Sequence, residues 1–148
     1  MKNIYIICLA LTIFNINIVN AKVASIQETI CMAKTIYWEA RGEPYDGKLG
    51  VAGVVLNRVA HEDFPNTICE VVHQKKPIQF SKEIIKRTTI KDKKAWQESL
   101  DLAGRIVNRH VRIKPTFRAI YFDNARVKAP KGLVLHMSIG KHKFYNKR

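Results

Sequence analysis

The chain has 148 residues, and its 26 Lys and Arg outnumber 12 Asp and Glu for a formal charge of +14. That length suits one domain, large enough to bury a core without structural metals or a dense disulfide network. The charge calls for an anionic partner and does not by itself choose among nucleic acid, a membrane surface and an acidic polymer.

Residues 1–21 read MKNIYIICLALTIFNINIVNA, with Lys2 ahead of an apolar run through Ile4–Phe14 and a small-residue end at Val19-Asn20-Ala21. This is the pattern of a cleaved signal peptide, with an uncleaved N-terminal anchor as the rival. Asn15 and Asn17 interrupt the run and argue against a stable span of roughly 20 apolar residues. Cleavage would leave 22–148 as the working domain, and loss of Lys2 would lower the charge from +14 to +13. Export would make nucleic acid the poorer partner. Cys8 falls in this segment, which leaves Cys31 and Cys69. An even pair can bridge in an oxidising compartment or remain as two buried thiols, and the sequence leaves both open.

Ser25-Ile26-Gln27-Glu28 fits a capping box, so a helix is expected to start at Ser25. Ile26, Ile30, Ala33, Tyr37 and Ala40 recur at helical spacing and predict its core face. Glu39 lies off that stripe, near Met32, Thr35 and Ile36, in the last turn. Gly42 suits a left-handed helix end, and Pro44 blocks continuation. A second helix is predicted from Asp46 or Gly47 to about Ala60. Its Val51, Val54 and Val55 widen the apolar stripe until it belongs at the centre of the domain. Asn66 is the expected cap of a short helix through Val72. After the basic loop HQKKPIQFSK, Lys91–Arg109 predicts a long helix with Trp96, Leu100, Ala103 and Val107 on its buried face. From Ile113 onward, prolines, glycines and aromatics predict loops or short strands. The expectation is a single, mainly α domain.

Two acids near one helix end, Glu39 and Glu43, set the chemical question. A carboxylate in the last turn faces the negative end of the helix dipole, which favours its protonated form and suits a general acid. Glycoside cleavage is a reaction class that uses such acids. The plainer alternative is a salt-bridged helix end, with Arg41 and Lys48 as partners. His61, His73, His110, His136 and His142 show no paired metal spacing, and the cysteines show no zinc or redox motif, so no metal or cofactor is expected. His61-Glu62-Asp63 reads as a solvated turn.

The blocks Glu39-Ala40-Arg41-Gly42-Glu43-Pro44 and Leu56-Asn57-Arg58-Val59 closely resemble the cell wall hydrolase family of the spore cortex-lytic enzymes, the SleB/CwlJ type. Thr67–Val72, Gln79-Phe80-Ser81 and Gly140–Tyr145 agree in order, so the resemblance runs from about Ser25 to Tyr145. It implies a compact, lysozyme-like helical domain acting on peptidoglycan between N-acetylmuramic acid and N-acetylglucosamine. It also implies Glu39 as the catalytic acid of a lytic transglycosylase, needing neither cofactor nor nucleic acid. Glu43 would shape the turn or orient substrate, with Arg41 as its intermediary; Gln79 and Ser81 would hydrogen-bond acetamido groups. Tyr121 and Tyr145 would line the cleft or pack in the core. Lys82 and Tyr121-Phe122-Asp123-Asn124 depart from the family pattern. Amidase, muramidase and a non-catalytic basic wall- or nucleic-acid-binding protein are the alternatives.

Overall fold

The computed structural model describes residues 23, 25–74, 89–114, 117–124 and 131–148. Residues 1–21 lie outside these. The first helix, α1, runs over 25–40, and Val23 is already helical, so Ser25 sits inside the helix and does not cap it. Glu28 is used elsewhere: its carboxylate accepts the amide hydrogens of Ile68 (2.6 Å) and Cys69 (3.3 Å), forty residues on. The buried face of α1 includes Ala33, Tyr37 and Ala40 as expected but is wider. Ile26 is exposed, whereas Met32, Thr35 and Ile36, the flank that carries Glu39, are fully enclosed. Thr35 tolerates this because its hydroxyl returns to the Cys31 carbonyl at 3.0 Å.

Helix α2 (Tyr45–Val59) starts behind Pro44 and is the centre of the domain, with Val51, Ala52, Val54 and Val55 at 0% exposure. One apolar cluster joins it to α1, to α3 (Ile68–His73) and to α4 (Lys93–Val107). Thr67, not Asn66, caps α3, its hydroxyl accepting the Glu70 amide hydrogen at 3.3 Å. Asp92 caps α4 through the Ala95 amide at 2.9 Å, and Arg109 (φ 61°) takes the left-handed turn that ends the helix before the expected boundary. The face of α4 is one residue off expectation. Ala95, Ser99, Leu102, Ala103 and Ile106 are buried, while Trp96, Leu100 and Val107 pack on the flanks. Small residues let the helix axis come close, and Ser99 satisfies its hydroxyl on the Ala95 carbonyl at 2.7 Å.

The C-terminal part is a three-stranded antiparallel sheet: β1 (Tyr121–Asn124), β2 (Leu133–Ile139) and β3 (His142–Lys147), in the order β1-β3-β2. The domain is thus mainly α with a short sheet at its end, as the sequence leads one to expect. A second apolar cluster joins α2 to this sheet, through Val51, Val54, Phe117 and Phe144. Gly50 and Gly53 permit that approach: a Cβ would stand 2.5 Å from the Phe144 ring at the first and 2.8 Å from the Phe117 ring at the second.

The sheet is also hydrogen-bonded to α2. Asn57 Nδ2 donates to the carbonyls of Phe117 (3.0 Å) and Ala119 (2.9 Å), and Arg58 Nε donates to that of Ile120 (2.7 Å). Arg58 is 2% exposed, between the rings of Phe64 and Tyr121. Burial lowers its pKa to about 10, against a smaller opposing effect of Tyr121, so the guanidinium is still charged at neutral pH. Elsewhere, a disulfide between Cys31 and Cys69 ties α1 to α3 across 38 residues.

Two stability changes follow. Closing a 38-residue loop is worth about 4 kcal/mol in the chain-entropy model, so Cys31→Ser/Cys69→Ser should lower the urea midpoint accordingly. Gly50→Ala should cost about 1–3 kcal/mol through overpacking against Phe144; a midpoint unchanged from wild type would contradict that contact.

Candidate functional site

Glu39 is half-buried in the last turn of α1. The chain then turns through 41–44, with the Glu43 amide donating to the Ala40 carbonyl at 2.9 Å. Gly42 is not left-handed, contrary to expectation: the described glycines with positive φ are Gly132 and Gly140. The single bond back to Ala40 followed by Pro44 ends the helix without that conformation.

The two acids differ in their contacts. The Glu43 side chain is only 6% exposed, and its Oε2 accepts the Lys141 amide hydrogen at 2.7 Å in the β2–β3 turn. Gly140, at the first position of this two-residue turn, has φ +57°, and a Cβ there would lie 2.0 Å from Glu43 Oε2. The turn therefore needs glycine both for its backbone and for the carboxylate against it. Glu43 is thus the clasp between helix end and hairpin, and Arg41 does not mediate it. Arg41 lies over the rings of Tyr37 (5.1 Å) and Trp38 (5.4 Å), and Lys48 pairs with Glu98 of α4 at 3.0 Å. The expected salt-bridged helix end does not form with these two cations.

His142, the first residue of β3, completes the group. Its ring is edge-on to Phe122, with centroids 5.3 Å apart, and its Nδ1 is 3.9 Å from Glu43 Oε2. That nitrogen is buried without a hydrogen-bond partner. Burial lowers the His142 pKa below its usual value, and the negative charges of Glu43, Glu39 and Asp123 oppose the shift in that order. One neutral imidazole thus lies within electrostatic reach of three acids drawn from α1, the 41–44 turn and β1. Sequence reading passed over His142 and Asp123 because it looked for metal spacing. The usable signal was the position of His142 in the Gly140–Tyr145 block.

Of the other expected residues, Tyr121 and Tyr145 stand opposite each other in the β1–β3 pair. Tyr121 is half-buried beside Arg58, with its ring 5.5 Å from the guanidinium carbon. Tyr145 is 1% exposed, so it belongs to the core and does not line an open surface. It lies on the face of β3 opposite His142 and Phe144, and both faces are buried at this point of the strand. Gln79 and Ser81, with Phe80 between them, lie outside the described residues. Among the described residues, no group of three or more His, Cys, Asp or Glu could hold a metal ion.

A model of the family described as cell wall hydrolase matches residues 42–145. The chain belongs to the cell wall hydrolase family. The matched span takes in Glu43, Asn57, Arg58, Asp123 and His142, and begins three residues after Glu39. A spore cortex-lytic enzyme of Bacillus cereus is 33% identical over 117 residues, 76% of this chain and 42% of that protein. One from Oceanobacillus iheyensis is 36% identical over 94 residues, covering 63% of this chain and 31% of that protein. The chain therefore spans well under half the length of these curated relatives. It spans nearly all of the solved catalytic domains. The crystal structure of the catalytic domain of Bacillus cereus SleB matches with a TM-score of 0.61 and 31% identity, over 81% of this chain and 91% of that one. The catalytic domain of the germination-specific lytic transglycosylase SleB from Bacillus anthracis matches at 0.59 and 30%, over 80% and 93%.

The direction of the His142 shift fixes a pH dependence. Because its pKa is lower in the folded state, the unfolded chain binds more protons between that value and about 6.5. His142 therefore favours folding above about pH 6.5, and that contribution is lost as the pH falls through the window below it. The melting temperature of the wild type should drop more steeply than that of His142→Asn between about pH 6.5 and 5. Parallel curves would contradict the assignment.

Proposed function

We propose that this member of the family degrades peptidoglycan by lytic transglycosylation, cleaving between N-acetylmuramic acid and N-acetylglucosamine with Glu39 as acid and then base. The observation that carries the reading is the division between the two acids. Glu43 is committed to the Lys141 amide at 2.7 Å and closed off from solvent, while Glu39 stands half-buried at the end of α1. A hydrolase of the usual kind needs two working carboxyl groups, one for the leaving oxygen and one for water or the anomeric carbon. With Glu43 held in the clasp, the chemistry that fits is the one for which a single carboxyl group suffices. Glu39 protonates the glycosidic oxygen, the C1–O bond breaks, and the anomeric centre takes oxocarbenium character. The resulting carboxylate then removes the proton from the muramic O6 as that oxygen bonds to C1. The product is a 1,6-anhydro end, and Glu39 is protonated again. The relationship to the Bacillus anthracis lytic transglycosylase domain supports the same reading.

Residues 1–21 act in this proposal as the export signal or anchor that brings the domain to the wall, where its positive charge holds it on an acidic polymer. A true muramidase is the second reading, because Asp123 shares the surroundings of His142 with Glu39 and could serve as a second carboxylate.

Purified sacculi digested with wild type and Glu39→Gln decide between these. The variant should fold normally by circular dichroism and lose about 10²–10⁴-fold in rate, the usual worth of a general acid. Wild-type products should carry anhydromuramic ends by mass spectrometry. Reducible muramic ends together with a comparable loss in Asp123→Asn would favour the muramidase. Freed peptides on intact glycan, or an unchanged rate in Glu39→Gln, would sink the proposal.

A further inference from the structure

A groove of about 250 Å³ opens between the first half of α2, residues Arg112, Ile113, Lys114 and Phe117, and β2. Leu49, Phe117 and Met137 are among its apolar lining, and Asp46, Arg112 and Lys114 carry its charges. All three charged residues are exposed, and none forms an ion pair with another described residue. Glu39 does not line it. The groove nevertheless starts beside the site: its lining residue Ile139 precedes Gly140, which rests on Glu43, and Asp46 is three residues past that acid. Its volume falls just short of the roughly 300–1,000 Å³ of clefts that hold a small ligand by themselves. That size suits one portion of a ligand anchored elsewhere.

We propose that this groove is a subsite for the peptide stem of peptidoglycan, adjoining the glycan at Glu39. The inference rests on the wall-polymer reading above. A stem of alanine, γ-linked glutamate and a diamino acid presents methyl groups, free carboxylates and an ammonium. The apolar lining matches the methyls, Arg112 and Lys114 match the carboxylates, and Asp46 matches the ammonium. A glycan stripped of stems keeps the lactyl carboxylate of each muramic residue but loses the glutamate and diamino-acid carboxylates and the ammonium. The rim charges meet a part of the substrate remote from the broken bond, so they bind ground state and transition state alike and act on KM, not kcat. A tethered stem meets the groove at high effective concentration, so weak intrinsic affinity suffices.

The test compares two soluble glycans, one carrying stems and one stripped of them by an amidase. The wild type should favour the stem-bearing glycan. Arg112→Glu/Lys114→Glu should raise KM on that glycan roughly 3- to 10-fold, the worth of two exposed ion pairs. It should leave kcat, and all kinetics on the stripped glycan, unchanged. Lys93→Glu/Lys94→Glu, an equal change of charge at the start of α4, should have no such effect. Equal slowing on both glycans, an equal effect of the α4 variant, or no wild-type preference would overturn the subsite. If the wild type cleaves neither glycan, the transglycosylase reading fails, and titration with the alanyl-glutamyl-diaminopimelate tripeptide decides the subsite alone. Methyl resonances of Met137 and Ile139 should then shift in the wild type and not in the Arg112/Lys114 variant; unshifted resonances would overturn it.

Discussion

The carboxylate of Glu43 accepts the backbone hydrogen of Lys141 at 2.7 Å, across 98 residues of sequence. Most of the site's geometry depends on this one bond. It fixes the turn after α1, and hence the direction in which the last turn of α1 presents Glu39. It also fixes the β2–β3 hairpin, and hence the position of His142 at the start of β3. A buried carboxylate without donors would be costly, so the bond to the amide is what permits Glu43 to be there at all. Gly140 is the matching constraint on the other side, since any side chain would occupy the carboxylate's place.

Helix α2 supplies the platform on which this clasp closes. Its glycines admit the rings of Phe117 and Phe144, and its last turn holds the strand leading to β1 through Asn57 and Arg58. The carbonyls of 117–120 cannot all be served by the sheet, because β1 has only β3 as a neighbour. Side chains of α2 serve them instead. The resemblance block Leu56–Val59 is thus structural in this protein: Asn57 is partly buried and Arg58 enclosed where the chain opposite needs donors. The disulfide and Glu28 perform the same office at the other end, holding α3 against α1.

Between these supports the site is electrostatically asymmetric. Three carboxyl groups surround one imidazole that burial keeps neutral, in a protein that is otherwise strongly basic. A net positive surface draws an anionic polymer toward the domain. The local cluster of acids is therefore a negative island in a basic domain.

Helical periodicity and the run of small and branched residues in 47–60 determined that the domain is mainly α and that α2 is central. The EARGE block singled out Glu39 before any coordinates. Those features are local, written in spacing and side-chain type. The sequence could not tell how wide the buried face of α1 is, or which face of α4 is buried to within one residue, because small residues win burial by allowing close approach, and approach depends on the partner helix. Nor could it pair Glu28 with α3, place Tyr145 in the core, or find the donor that holds Glu43. Only the tertiary structure decided these, since each turns on a donor or ring that arrives from a distant part of the chain. Glu43 finds its donor at Lys141 and is closed over by the hairpin, while Glu39, four residues earlier, stays half-buried in the last turn of α1.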